Sequence, residues 1–351
     1  MVQFWALDKN FVKTAELKAT NIQWRPRYYE CGDFEILMPK ASYDPDMAYI
    51  WKVGTGQVGI IQDIEYTVQA EGPFITLAGY FTETWLSRGV ILEPAKPDNT
   101  LPANIIDVVK NMVQSRIIND LNLSSLIEMG EFVSLAENVA GCDENEFEVG
   151  QIAFSLLKSF ELAQRLRFDY DAKKFYYDIY QGVDRSIKGP NQVLFSDSAI
   201  SSNISQIQYS NDISDYKNFA HIRIDRGEER IITSEFSLAK EGEDLNKIMV
   251  QFSDTESETD AQAIEAGQQQ ALLDLLNHKK IVSISFEPTE QAFEYQKDYD
   301  MGDKVNLTIH ALGLSYGERI IGVDETYKNN TQSLKLHFGD EKKMNYVKAG
   351  W

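Results

Sequence analysis

Trp24-Arg25-Pro26-Arg27-Tyr28-Tyr29-Glu30-Cys31-Gly32-Asp33-Phe34-Glu35-Ile36-Leu37-Met38-Pro39 is the stretch whose reading decides the fold. Tyr28 and Tyr29 are good strand residues, Gly32-Asp33 supplies turn chemistry, and Phe34-Glu35-Ile36 alternates apolar with polar. An aromatic strand, a turn and a second strand are predicted. Similar signals lie on either side. Val2-Gln3-Phe4, Ile61-Gln62-Asp63-Ile64-Glu65-Tyr66 and Phe74-Ile75-Thr76-Leu77 alternate or run apolar, separated by Gly or Pro. Short strands with frequent turns predict a barrel or sandwich up to about Pro94.

At Glu93-Pro94-Ala95-Lys96-Pro97-Asp98 a Pro-rich linker interrupts the strands, and the period changes after it. Thr100 can cap a helix with Pro102 in its first turn, and Ile105, Ile106, Val109, Met112 and Val113 form one apolar stripe. A second helix is expected over residues 151–166, with Ile152, Leu156, Phe160 and Ala163 on one side. Phe168-Asp169-Tyr170 and Phe175-Tyr176-Tyr177-Asp178 predict a hairpin across Asp171-Ala172-Lys173-Lys174. Beyond Gly189-Pro190 the pattern is mostly strands around one long helix near residues 259–279. Thr259 and Gln262 form a capping box, and Ile264, Gln268, Ala271, Leu272, Leu275 and Leu276 carry its face. Val282-Ser283-Ile284-Ser285-Phe286, Val305-Asn306-Leu307-Thr308-Ile309 and Leu334-Lys335-Leu336-His337-Phe338 alternate strictly, as antiparallel strands with one wet face do. No short internal repeat is visible.

The 351 residues suggest two to three domains, and 43% hydrophobic content is ordinary for a globular protein. A formal charge of -20 argues against nucleic-acid affinity, which needs Lys and Arg to displace counterions. Solubility and a specific electrostatic role are both open readings of that charge. Cys31 and Cys142 form no spaced cluster and read as free thiols made in a reducing cytosol. The N-terminus lacks the basic-then-apolar layout of a secretory signal, and no apolar run approaches the roughly 20 residues that span a bilayer.

Several motifs tempt a catalytic reading. Gly54-Thr55-Gly56-Gln57-Val58-Gly59 matches the dinucleotide fingerprint, but Ile60-Ile61-Gln62-Asp63-Ile64 follows as a strand where a helix is needed to hold the pyrophosphate. Gly313-Leu314-Ser315-Tyr316-Gly317 matches a nucleophile elbow, with Asp324 and His337 in hydrolase order. Arg319-Ile320-Ile321-Gly322-Val323 again reads as strand, and His337 should share the outer face with Lys335. A hairpin loop is the preferred reading. Asp298-Tyr299-Asp300-Met301-Gly302-Asp303 resembles the start of a calcium loop, yet Ile309 stands where the bidentate Glu belongs. A turn entering a strand suits it better. The acidic runs at residues 143–146 and 254–260 read as solvated loops or helix starts, with weak ion binding as the alternative. His221, His278, His310 and His337 show no metal-ligand spacing, and no carboxylate pair stands out as an acid/base couple. No catalytic, cofactor-binding or metal residue is nominated.

The order of several motifs resembles a known family, the tail-hub proteins of siphophages that infect Gram-positive bacteria. The resemblance is carried by Phe4-Trp5-Ala6-Leu7-Asp8-Lys9-Asn10-Phe11, by Tyr28-Tyr29-Glu30-Cys31-Gly32-Asp33-Phe34-Glu35 and by Gly59-Ile60-Ile61-Gln62-Asp63-Ile64. Further on it is carried by Asp212-Ile213-Ser214-Asp215-Tyr216-Lys217-Asn218, Gly227-Glu228-Glu229-Arg230 and Tyr299-Asp300-Met301-Gly302-Asp303-Lys304-Val305. Met301 stands where the family usually has Leu, and the acidic residues 254–260 depart from a more basic pattern.

This resemblance implies a β-rich α+β fold with two antiparallel β-barrel-like domains, residues 1–95 and 189–351, around a mixed α/β middle domain, 96–188. It implies a structural protein and not an enzyme: a homotrimeric hub of the tail tip or baseplate, closing the distal end of the tail tube in the virion and made in the host cytoplasm. The implied neighbours are the distal tail protein, the tape-measure protein and receptor-binding proteins, with DNA passing through a channel without specific binding. Two barrels in each of three copies would reconcile a six-fold tube with a three-fold tip. The rivals are a saccharide-binding tail adhesin, for which 17 Tyr and 5 Trp could stack on sugars, and a tail-associated cell-wall hydrolase. Trp51 and Trp351 are the aromatics least explained and are candidates for a partner contact, and the chain is expected to leave no room for a hydrolase domain after its last strand.

Overall fold

A computed structural model describes residues 2–90, 103–136, 138–139, 148–200, 202–255, 257–289, 293–328 and 331–340. The chain divides into two compact units. One comprises Met1–Ile207 with Ser285–Phe338, the other Gln208–Ile284 with Gly339 and Asp340.

The first unit opens with β1 (Phe4–Leu7) and β2 (Lys13–Glu16), joined by a turn in which Asp8 Oδ1 accepts from the N–H groups of Asn10 and Val12, 2.8 Å each. β3 (Asn21–Arg25), β4 (Asp33–Pro39), β5 (Tyr49–Lys52), β6 (Val58–Ile60), β7 (Asp63–Gln69) and β8 (Gly72–Tyr80) follow. One sheet runs β2-β1-β5-β6, while β3-β4-β8-β7 lie side by side in a second. Between them Trp24, Phe34, Ile36, Met38, Ile75 and Leu77 bury against Phe4, Ala6 and Ile50, the alternation that the sequence pattern predicts. Tyr28 and Tyr29 correct the expectation: they are not in a strand. Pro26 has no N–H for a ladder and β3 stops before it, so both tyrosines fall in the connection to β4. The run Ile61-Gln62 likewise breaks the predicted strand, and β7 starts at Asp63.

Next come β9 (Ala103–Asn104), α1 (Ile105–Val113), β10 (Ile127–Phe132), β11 (Asn138–Val139), α2 (Val149–Lys158), β12 (Ala163–Asp169) and β13 (Lys174–Tyr180). All five residues of the predicted α1 stripe are buried. Asn104 caps this helix, its side-chain oxygen accepting from Ile106 N at 3.0 Å. Thr100, Pro102 and the Pro-rich linker lie outside the described residues. The second helix is shorter than expected. It ends at Lys158, Glu161 takes φ 56°, and Ala163 and Leu166 belong to β12. The β12–β13 hairpin stands where predicted, with β10 parallel to β13 on its far side.

The remaining strands are β14 (Leu194–Ser196), β15 (Ile204–Asp212), β19 (Ile281–Pro288), β20 (Lys304–Ile309), β21 (Leu314–Lys328) and β22 (Thr331–Gly339), of which β15 from Gln208, β19 up to Ile284 and Gly339 of β22 count with the second unit. Here β21 pairs with β3, Glu325 opposite Trp24 and Thr326 opposite Gln23. That pairing fuses early and late strands into one path, β15-β19-β22-β21-β3-β4-β8-β7, with β20 and β14 attached beside β21.

The second unit holds β16 (Phe219–Asp225), β17 (Ile231–Ser237), β18 (Lys247–Ser253) and α3 (Asp260–Asn277), with the sheet ordered β17-β16-β18. The capping box forms: Thr259 Oγ1 accepts from Gln262 N, and the Gln262 side chain accepts from Thr259 N. Ala263, Ala271 and Leu275 turn inward and Gly267 meets Ile222 and Ile224, whereas Leu276, expected on that face, is 49% exposed. The protein is mostly β-sheet with few helices. No helix among the described residues is long and apolar enough to cross a membrane.

Candidate functional site

Two of the motifs picked out from sequence, far apart in the chain, meet in space. Tyr28 is fully buried, and its hydroxyl lies 3.1 Å from Glu161 O and accepts from Gly182 N at 3.2 Å. Burial pushes its phenol pKa up, and the Arg319 charge only partly offsets this. Against its ring sits Gly302, left-handed at φ 84°, where a Cβ would lie 2.2 Å from Tyr28 Cε2. Only glycine fits both that backbone and that contact.

Arg319 of β21 closes the knot: Nη1 donates to Gly302 O and Nη2 to Glu161 Oε2 at 2.6 Å, with the guanidinium over the Tyr28 ring. Asp303 beside it accepts from Val183 N at 2.7 Å, Arg185 Nε at 2.6 Å and Asp300 N at 3.0 Å. These three protein donors fix the carboxylate, and the segment is a turn into β20. The sequence reading missed Glu161 and Arg319. Charged residues in a turn and a strand give no periodic signal of burial.

The other candidates resolve in the same way. Gly54 and Gly56, at φ 85° and 72°, make the turn between antiparallel β5 and β6, so no helix follows the fingerprint. His337 Nε2 and Asp324 Oδ2 are 2.8 Å apart, and Arg27 Nη2 is 2.9 Å from Asp324 Oδ1. Burial opposes ionisation of Asp324, but the His337 hydrogen bond and the Arg27 charge hold its pKa down to about 2. Ser315 takes no part in this pair. It lies nine residues from Asp324 on the single strand β21, about 30 Å away at strand rise, and bonds Thr308 Oγ1 at 3.2 Å. His278 pairs with Asp215 and His221 with Glu235, at 2.8 and 3.2 Å. In the second unit Arg226 pairs with Asp254 and Asp260, and Arg230 pairs with Asp260. Residues 143–146 and Cys142 lie outside the described residues; Cys31 is a half-buried free thiol whose pKa burial pushes up.

Trp51 is used internally. It stacks on Tyr170 at 4.8 Å, and Lys13 Nζ sits 4.9, 5.1 and 4.5 Å from the Trp5, Trp51 and Tyr170 ring centres. Trp351 lies outside the described residues. A cleft of 370 Å³ in the first unit is lined by Gln57, Glu83, Arg165 and Asp300 among others. Gln57 accepts from Trp24 Nε1 at 2.8 Å, Glu83 from Leu166 N at 3.0 Å, and Arg165 binds Asp178 at 3.0 Å. These groups brace the fold. A second buried brace is Lys52–Glu325, with Nζ 2.5 and 2.7 Å from the two carboxylate oxygens and both side chains 1% exposed. Glu325 was legible as inward-pointing, since it continues the alternation of Ile321 and Val323.

The groups described above brace the fold. Three solved structures share the fold. The tail protein from Neisseria meningitidis MC58 gives a TM-score of 0.59 at 11% identity, covering 97% of each chain. The 43 kDa tail protein of prophage MuSo2 from Shewanella oneidensis gives 0.61 at 12%, covering 97% of this chain and 98% of that one. Prophage tail protein gp18 from Listeria monocytogenes EGD-e gives 0.52 at 13%, covering 97% and 95%. No curated protein matches the chain. The sequence model of the siphovirus ReqiPepy6 Gp37-like proteins matches residues 3–340. The chain belongs to that family, the siphovirus ReqiPepy6 Gp37-like proteins.

Proposed function

We infer that this protein is a hub subunit of a siphophage tail tip, closing the distal end of the tail tube and joining it to the host-recognition apparatus. The supporting observation is the sheet path. Four early strands (β3-β4-β8-β7) and four late ones (β15-β19-β22-β21) lie end to end, joined at β3–β21. A chain with two such halves can present two positions around an axis where a single-barrel subunit presents one, so three copies fill a six-position ring. On this reading residues 1–95 and 189–351 act as the two barrel-like domains and 96–188 as the mixed domain. The ring surrounds a channel for DNA at the distal end of the tail in the virion, and the contacts are with the distal tail protein, the tape-measure protein and receptor-binding proteins.

The charge suits a conduit. Three copies at -20 sum to 3 × -20 = -60, and acid facing the lumen would repel phosphate and let DNA slide. A density map of the tail tip tests the reading. It is upheld by three copies around the axis, and overturned by one axial copy, six equivalent copies or a position outside the tail.

A further inference from the structure

We propose that the cleft of the first unit binds a small zwitterion, with the ligand carboxylate on the guanidinia of Arg165 and Arg167 and the ligand ammonium on the carboxylates of Glu83 and Asp300. The cleft measures 370 Å³. At about 30 Å³ per water it has room for roughly a dozen waters, enough for an amino acid or a short peptide. Its lining is mostly polar, which speaks against an apolar ligand. Bracing the fold uses only part of the hydrogen-bonding capacity of these groups, and the remainder is of both charges.

The receptor for the ligand carboxylate is built around Asp178. That residue is fully buried and receives Arg165 Nε at 3.0 Å and Arg167 Nε at 2.9 Å. Two guanidinia thus share one negative charge in direct contact. Their side chains stay 43% and 36% exposed, and both Nη atoms of Arg165 and Nη1 of Arg167 bond no described residue. Guanidinium N–H groups held in place with charge to spare suit a carboxylate. The glycine motif that imitates a dinucleotide fingerprint forms a wall of this cleft and sets the path of Arg167. Gly56 O accepts from Phe168 N at 2.8 Å, and a Cβ on Gly56 would lie 2.8 Å from Arg167 Cγ.

The receptor for the ammonium is the acidic pair. Glu83 uses Oε1 on Leu166 N at 3.0 Å, and Asp300 uses Oδ1 on Met301 N at 2.7 Å. Neither carboxylate forms an ion pair among the described residues, although both line the same cleft as Arg165. Burial pushes the Glu83 pKa up, and its backbone hydrogen bonds and the Arg165 charge only partly offset this. A bound ammonium supplies the missing counter-charge. A sugar is the rival occupant of a polar cleft, and the aromatics of the lining decide against it. Phe81 is 4% exposed, the Arg165 guanidinium sits 4.7 Å over the Tyr180 ring, and Tyr28 packs perpendicular to that ring. Neither offers the open face on which a pyranose stacks.

Calorimetric titration of the full chain with glycine, γ-aminobutyrate and ε-aminocaproate tests this, since the three cover a range of spacings between the two charges. At least one is expected to bind with a Kd on the order of 1 mM or tighter, and at least tenfold more tightly than the plain amine or plain carboxylic acid of the same length. Glu83→Gln and Asp300→Asn keep the oxygens that hold Leu166 and Met301, and each is expected to weaken binding at least fivefold. Asp300→Lys puts an ammonium of the protein's own at the acidic end and is expected to abolish binding. The proposal is overturned if none of the three zwitterions binds, if the half-molecules bind equally well, or if Asp300→Lys binds like the parent. Binding of maltose where all three zwitterions fail assigns the cleft to a sugar and overturns it as well.

Discussion

Gly302→Ala is the sharpest test of the knot that joins the two motifs. The added methyl meets two separate obstacles. Gly302 sits at φ 84°, where an L side chain costs about 1–2 kcal/mol. Its Cβ would also lie 2.2 and 2.6 Å from Cε2 and Cδ2 of Tyr28. That ring has little room to retreat: it is fully buried, its hydroxyl is bonded on the far side, and the Tyr180 ring packs edge-on at 5.5 Å. Overpacking of this kind costs about 1–3 kcal/mol. The expected loss is therefore about 2–5 kcal/mol, a large share of a typical domain's total stability. Urea unfolding followed by tryptophan fluorescence in a Trp351→Phe background reads it, because Trp5, Trp24, Trp51 and Trp85 all lie in the first unit. A companion measurement separates the causes. With Tyr28→Ala already present the steric part disappears, so Gly302→Ala should cost only the backbone part. The reasoning is refuted if Gly302→Ala falls within about 0.5 kcal/mol of its parent, or if the cost is the same with and without the Tyr28 ring.

Three further outcomes are expected. Lys52→Met or Glu325→Gln alone should destabilise the first unit by about 3–5 kcal/mol, while Lys52→Met with Glu325→Leu should recover much of the loss. A double variant worse than either single one in urea unfolding would contradict the pairing. Asp324, held at about 2 against an ordinary 3.8, should contribute on the order of 2 kcal/mol that is fully present above about pH 5 and lost as pH falls through 4 towards 2. The stability gap between parent and Asp324→Asn should narrow over that window, and a gap unchanged at pH 2 would exclude the mechanism. Ser315→Ala should leave any peptidoglycan turnover by purified protein unchanged; its loss would put Ser315 within reach of His337, against the register of β21.

Where burial follows period, the sequence announced the fold. Phe34-Glu35-Ile36, the α1 stripe, the capping box at Thr259 and the alternation of β20 and β22 all fall where their patterns put them, whereas in β19 the expected wet face is lost, since Ser285 is buried between Ile284 and Phe286. The failures come where long-range contact overrides local preference. Tyr28 looks like a strand residue because it is aromatic, but its burial is decided by Gly302, Arg319 and Gly182, none of them near it in sequence. The second helix was overextended because Ala163 and Leu166 fit a helical period as well as an alternating one. The left-handed Glu161 separates the two, and no residue type announces it. At the candidate site, Gly302-Asp303 was legible as a turn, while its partners were not. The pairing of β3 with β21 was invisible for the same reason: two alternating strands say that each wants a neighbour and not which one.

That pairing has a consequence for how the protein is made. A chain emerging at about 5–20 residues per second exposes β3 some 15–60 seconds before β21 leaves the ribosome. During that interval the nascent N-terminal half holds an unpaired strand edge beside Trp24 and Phe34, and has no native partner for it. Folding of the first unit must therefore finish after translation nearly ends. Truncated or stalled products should be insoluble without a chaperone, since the last-made strands complete a sheet begun by the first.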